Sequence, residues 1–325
     1  MSERLISQLA HVELISPRPQ ESVAWLTEVL GLEESGRDGN SVYLRAWSEE
    51  LFHSLQVTEG PEPAVGHIAW RAAGPDDVAA VAARLEAAGA GEGWIDGGTG
   101  HGAAYRFRTP GGGHLHEVFW EVERYAAPPE LRTDFPGRPQ RWIPRGASPR
   151  YLDHVTLCTP QIIDDAAFMV DNLGLRFTDY VVPEPGAEIV VFGVLTSHST
   201  HELGMVPEFG PQRGRVNHIA FWCDQRVDVH RAADVLLSAG TAIEFGPGIH
   251  GVDEITYLYV REPGGLRIEL NSGGRRIFQP DRETRRWSPD LGSNSIYRNI
   301  NLVESMFESF PPVEEHTAEL RATNQ

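Results

Sequence analysis

Asn217-His-Ile-Ala-Phe221 repeats Gly66-His-Ile-Ala-Trp70, 151 residues earlier (218 against 67). Around this pair the rest of the chain also falls into two copies. His11 opens an apolar segment followed by Val23-Ala-Trp-Leu-Thr-Glu-Val-Leu-Gly-Leu32, and His154 opens one followed by Ala166-Ala-Phe-Met-Val-Asp-Asn-Leu-Gly-Leu175. Leu85-Glu-Ala-Ala-Gly89 matches Leu236-Leu-Ser-Ala-Gly240. Pro110-Gly-Gly-Gly-His-Leu-His-Glu117 answers to Pro263-Gly-Gly-Leu-Arg-Ile-Glu269. Ordered matches with a slowly drifting offset identify one module present twice. The boundaries follow: a first module over 1–127, a proline-rich linker over 128–149, a second module over 150–290 and a tail over 291–325.

Each module reads alike. A strand carries the first His. A helix follows and stops at Leu-Gly-Leu, where Gly31 or Gly174 can adopt the left-handed conformation that ends helices. Strands rich in Val, Phe and Tyr come next, such as Glu188–Val194. The second His lies on a strand, a second helix follows (227–239 in the second module), and a hairpin closes the unit. The pattern is βαβββ, read twice per chain. It predicts an α+β fold of curled mixed sheets with helices outside.

Composition narrows the function. The chain has 325 residues, 28 Lys+Arg against 46 Asp+Glu, and a net charge of −18. Nucleic acid or an anionic membrane would demand a basic face, so neither is an expected partner. No apolar run reaches the roughly 18–20 residues that cross a bilayer. Only Cys158 and Cys223 occur, which argues against a disulfide-stapled secreted scaffold. A cytoplasmic location is the expectation.

Strand alternation sorts the chemistry-bearing residues. His218 shares a face with Ala220 and Trp222, while Ile219 and Phe221 face the helices. Glu269 shares a face with Arg267 and Asn271, opposite Ile268 and Leu270. His154 lies with Thr156 and Cys158, away from Val155 and Leu157. Two imidazoles and one carboxylate from three strands suit a divalent metal with open positions, as in non-haem Fe(II) oxygenases. In the closing hairpin, Tyr259 lies five residues before Gly264 and Glu269 five after it. A turn centred there makes them cross-strand neighbours. The loop Gly246-Pro-Gly-Ile-His-Gly251 delivers His250 near the same strand. His201 lies seventeen residues before His218, a spacing that allows a return into the site.

Together Asp153-His154, Asn217-His218-Ile-Ala-Phe, Gly246-Pro-Gly-Ile-His250-Gly and Tyr257-Leu-Tyr259-Val-Arg-Glu-Pro-Gly-Gly-Leu-Arg-Ile-Glu269 resemble the type I extradiol ring-cleaving dioxygenases. These are catechol 2,3-dioxygenase-like members of the vicinal oxygen chelate superfamily. The resemblance covers about residues 5–290. It implies His154, His218 and Glu269 as ligands of Fe(II), with Mn(II) tolerated by the same donors. It implies His201 as acid/base, and Tyr259 and His250 as hydrogen-bonding partners of the substrate oxygens. The implied reaction opens a catechol ring beside its diol with O2, giving a muconic semialdehyde, in a homo-oligomer (tetramer or dimer).

The first module keeps His11, His67 and Glu117 in register, with His53 placed like His201 and His101 like His250. It lacks the phenol: Arg106 or Phe107 stands there, and an extra glycine shifts the hairpin. A vestigial or structural site is expected in that half. The loop around His250 holds Phe245 and Ile249 and no Arg, which favours a neutral or apolar catechol over a carboxylated one. Arg267 or Arg298 are the cations that would supply charge from elsewhere. Two other readings fit the same modules. One is a glyoxalase-like metal-dependent isomerase or lyase; the other is a module that binds an aromatic ligand without chemistry. The tail places Leu302, Met306 and Phe310 at four-residue spacing, a helical stripe that predicts a docked helix, a lid or an oligomer contact.

Overall fold

The computed structural model describes residues 4–279, 281–293 and 302–311. Arg298 and most of the tail lie outside them. In the first half, β1 (Ile6–Ser16) leads through α1 (Pro19–Trp25) to β2 (Glu33–Asp38), β3 (Ser41–Arg45) and β4 (Leu55–Glu59). Then β5 (Ala64–Ala72) leads through α2 (Asp77–Ala87) to β6 (Gly91–Ile95), β7 (Ala104–Arg108) and β8 (Leu115–Phe119). The second half repeats this. β9 (Tyr151–Thr159) and α3 (Ile162–Leu173) precede β10 (Arg176–Val181), β11 (Phe192–Thr196) and β12 (Leu203–Pro207). β13 (Val216–Trp222) and α4 (Arg226–Ser238) precede β14 (Ile243–Ile249), β15 (Ile255–Arg261) and β16 (Arg267–Gly273).

The α+β class with curled mixed sheets is borne out. The unit count is larger than the sequence reading gave: each half is two βαβββ units, so the chain holds four. The strand of the second His opens a unit of its own. The strand expected over 188–194 begins only at Phe192, after the Pro183–Ala187 turn region.

Each half forms one sheet. The orders are β2-β3-β4-β1-β5-β8-β7-β6 and β14-β15-β16-β13-β9-β12-β11-β10, with β17 (Arg285–Trp287) added at the far edge. At the centre, β1 and β5 run antiparallel, as do β9 and β13, each with a parallel neighbour outside (β4 and β8; β12 and β16). The helices cover one face. Ile219, Phe221, Ile268 and Leu270 are fully buried beneath them, each contributing roughly 1.5–3 kcal/mol of hydrophobic stabilisation. Gly31 (φ 91°) and Gly174 (φ 72°) end their helices in the left-handed region, as expected. No described helix is long and apolar enough to cross a membrane.

The halves are docked through polar contacts as well as apolar ones. Asp165 of α3 accepts hydrogen bonds from Gly111 N (2.7 Å), Gly112 N (2.8 Å) and Thr159 Oγ1 (2.6 Å). A Cβ on Gly111 would meet that carboxylate at 2.8 Å, so the glycine turn is shaped to the neighbouring half. In the tail, the described residues hold a single 3-10 turn, Glu304–Phe307, and an extended end at Phe310 bridged to Val216. Leu302, Met306 and Phe310 therefore do not form a helical stripe: Phe310 is buried, while Leu302 is 41% exposed.

Candidate metal centre

Three adjacent strands build the centre. Ala220 of β13 pairs with His154 of β9 on one side and with Glu269 of β16 on the other. His218 precedes Ala220 by two residues and shares its face. All three candidate ligands are buried. Their donor atoms are mutually close: His154 Nε2 to His218 Nε2 is 3.0 Å, and Glu269 Oε2 lies 3.1 Å and 3.0 Å from the two.

These spacings test the fit to a cation. Three mutually perpendicular donors about 2.1 Å from a six-coordinate ion stand about 3.0 Å apart, whereas tetrahedral donors stand about 3.4 Å apart. The triad matches the first. Neither carboxylate oxygen of Glu269 receives a well-directed hydrogen bond, although the side chain is buried. Burial works against charge on Glu269, but the two imidazoles hold its carboxyl well below the usual range. Burial likewise opposes charge on His154, yet Glu269 and Asp153 outweigh it and raise that imidazole to about 10. Burial takes His218 down to about 4. The buried carboxylate thus demands a positive partner, which a divalent cation supplies without a proton.

Two bulges orient the imidazoles. Between Ala220 and Phe221 the register skips Asp153, and between Val216 and His218 it skips Asn217. A bulged residue loses the strict alternation of a strand. Asp153 Oδ2 therefore reaches His154 Nδ1 at 2.8 Å, and Asn217 Oδ1 accepts from His218 Nδ1 at 2.7 Å. With a cation in place, each ring would keep its proton on Nδ1 and turn the Nε2 lone pair inward. Strand alternation alone assigns neither residue this role. The signal was their place directly before each His.

The remaining expected residues gather around the triad. His201 stacks on His154 with ring centroids 4.1 Å apart, its Nδ1 3.6 Å from Asp253 Oδ2. Its Nε2 is buried without a hydrogen-bond partner. Burial and the neighbouring His154 keep His201 well below its ordinary pKa, so it is neutral near pH 7. Burial, aided by Asp179, pushes Asp253 up to about 7. Tyr259 pairs with Glu269 across the hairpin, as the symmetry about Gly264 predicts. Its hydroxyl is 2.9 Å from His250 Nε2, and burial beside Glu269 keeps the phenol protonated. His198, by contrast, pairs with Glu202 at 3.2 Å and lines a cavity of about 380 Å³ between the halves.

Arg267 is not available for a substrate. It is fully buried and committed to Glu244 (2.9 and 3.0 Å), the Asn217 carbonyl and tail carbonyls. Phe245, Tyr257 and Tyr259 form an apolar cluster, with Met306 of the tail packed against it. In the first half, His11, His67 and Glu117 also converge. There the hairpin register sets Arg106, and not Phe107, opposite Glu117; the extra glycine is absorbed in the turn.

Comparison with known proteins gives a consistent picture. The chain matches the family model described as Glyoxalase/Bleomycin resistance protein/Dioxygenase superfamily over residues 8–118 and 151–270. It is 38% identical to a metapyrocatechase of Geobacillus stearothermophilus over 283 residues, covering 87% of this chain and 86% of that protein. It is 36% identical to a manganese-dependent 2,3-dihydroxybiphenyl 1,2-dioxygenase of Geobacillus genomosp. 3 over 287 residues, covering 87% and 90%. Among solved structures, the homoprotocatechuate 2,3-dioxygenase of Arthrobacter globiformis superposes with a TM-score of 0.80 at 25% identity, covering 94% of this chain and 91% of that one.

Proposed function

The chain belongs to the glyoxalase/bleomycin resistance protein/dioxygenase superfamily and is an extradiol dioxygenase, and we propose that His154, His218 and Glu269 hold its catalytic cation. The observation that carries this assignment is the 3.0–3.1 Å spacing of three buried donor atoms around a carboxylate without hydrogen-bond partners. Fe(II) is the proposed ion, and Mn(II) fits the same hard-to-borderline donors.

Held by His154, His218 and Glu269, the cation would supply Lewis acidity that lowers the pKa of a catechol hydroxyl and a redox path between the ring and dioxygen. The protein groups handle the protons. His201, neutral and buried, takes the proton that the catechol releases. The same imidazole, then charged, returns a proton when the O–O bond breaks. Asp253 beside Nδ1 steadies that charge. Tyr259, kept protonated, donates a hydrogen bond to a ring oxygen, with His250 orienting its hydroxyl. The carbon–carbon bond beside the diol is cleaved, and both atoms of O2 enter the ring-opened semialdehyde.

The substrate is proposed to be a catechol without a charged substituent. Phe245, Tyr257 and Met306 supply an apolar surface near His250, and Arg267 is spent on Glu244 and the tail. Among the described residues, the guanidinium of Arg267 is not free to receive a substituent carboxylate. A substrate panel tests the reading. Protein loaded anaerobically with ferrous iron is mixed aerobically with catechol, methylcatechols and carboxylated catechols. Yellow product and oxygen uptake are expected from the neutral compounds at higher kcat/KM. Preference for a carboxylated ring overturns the specificity, and no uptake with any catechol overturns the assignment.

A further inference from the structure

We propose that the first half holds a second divalent cation on His11, His67 and Glu117, a four-coordinate structural site without ring-cleaving chemistry. The donors come from strands equivalent to those of the catalytic centre. Ala69 pairs with His11 on one side and Glu117 on the other, as Ala220 does with His154 and Glu269. His11 Nε2 and His67 Nε2 are 3.0 Å apart, and Glu117 Oε1 lies 3.6 Å from each.

Two independent observations point to a ligand there. The first is an orphan. Glu117 is fully buried and its Oε1 has no hydrogen-bond partner. His101 donates through Nδ1 to the Gly102 carbonyl (2.9 Å), so its neutral ring turns the lone pair of Nε2 toward that same oxygen, 3.3 Å away. A proton on His11 relieves only the His11–His67 contact; a cation between the donors relieves the carboxylate as well.

The second observation is a built support. The equivalents of Asp153 and Asn217 are Ala10 and Gly66, which have no polar side chain. The same role is filled from elsewhere: Glu13 Oε2 lies 2.8 Å from His67 Nδ1 and fixes the Nε2 lone pair inward. A Cβ at residue 66 would sit 2.0 Å from that carboxylate oxygen. Gly66 therefore makes the space in which Glu13 orients the ligand.

The geometry differs from the catalytic centre in two ways. The contacts of 3.0, 3.6 and 3.6 Å lie closer to tetrahedral spacing, about 3.4 Å for donors 2.1 Å from an ion. The open side is also closed. Arg106 Nε holds Glu117 Oε2 at 3.1 Å where the second half has Tyr259. Phe119, two residues past Glu117, stacks on His101 at 4.5 Å and on His11 at 5.7 Å. Two imidazoles and one carboxylate hold Zn(II) with a fourth position for a water molecule, and Arg106 and Phe119 leave no room there for a catechol.

The test is metal stoichiometry on the full chain. Protein stripped of metal, loaded with Zn(II) and desalted should hold two equivalents. His154→Ala with Glu269→Gln should leave one, and adding the isosteric Glu117→Gln should leave none. Co(II) in the remaining site of the first double variant should show the intense visible bands of four-coordination. Zn(II) should also raise the melting temperature of that double variant, a readout that needs no change in the first half. One equivalent in the wild type, lost with the His154/Glu269 pair and indifferent to Glu117→Gln, overturns the inference while leaving the catalytic assignment intact; Arg106 would then have taken over the cation's charge. No rise in melting temperature overturns it equally.

Discussion

His201 shows how far a single side chain can be read from sequence. Its spacing from His218 allowed a return into the site, and its match to His53 of the first module favoured it over His198, three residues earlier. The fold separates them: one ring stacks on His154 and the other pairs with Glu202 at the junction of the halves. On the proposed assignment His201 lies outside the ligand set, so His201→Asn should retain the cation and bind catechol. General acid–base groups contribute on the order of 10²–10⁴-fold, so turnover should fall by that scale, with peroxide release for lack of a proton donor. Oxygen uptake and iron content of His201→Asn and His198→Asn, compared directly, check it. Normal turnover in the first with collapse in the second would move the role to His198. Asp153 and Asn217 were not legible as supports, because both lie at bulges where the two-residue period used to read strands breaks down.

At the scale of the element, the closing hairpin was legible in full. Its turn residues fix the centre, and equal arms on either side fix the pairing of Tyr259 with Glu269. The role of Ala220 was not, since it depends on the registers of two flanking strands distant in sequence. Its small side chain sits between His154 and Glu269 at the crossing point. Ala220→Leu should fill the space among the donors and abolish cation binding. Overpacking costs roughly 1–3 kcal/mol, so the variant should still fold, with a lower urea midpoint. Metal content together with a urea melt separates the two effects; retention of full metal would contradict the placement. The tail misled for a local reason. Four-residue spacing is the mark of a helix, but Phe310 is held instead by an extended bridge to Val216, and Arg267 binds the tail carbonyls at Ser305 and Glu308.

At the scale of the molecule, the repeat revealed the two halves but not how they meet. Asp165 and the glycines of the Pro110–Gly113 turn carry no periodicity that links them, yet one buried carboxylate accepts two backbone N–H groups across the junction. Asp165→Ala leaves both donors buried without partners. Each such group costs about 1–3 kcal/mol, so a loss of about 3 kcal/mol is expected in urea unfolding monitored by tryptophan fluorescence. A change below about 0.5 kcal/mol would mean that these two hydrogen bonds do little to hold the halves together. The duplication also explains why two sets of two His and one Glu appear in one chain, although only the second has a tyrosine opposite its Glu.

The assignment of the catalytic cation rests on Glu269 more than on any other residue, because its carboxylate is the charge that the buried centre must neutralise. The most direct measurement is the iron content and oxygen uptake of Glu269→Ala beside the wild type, both loaded anaerobically with Fe(II) and desalted. The assignment predicts the loss of one equivalent of iron per chain and the loss of catechol-dependent oxygen uptake. Unchanged iron with full turnover would contradict it.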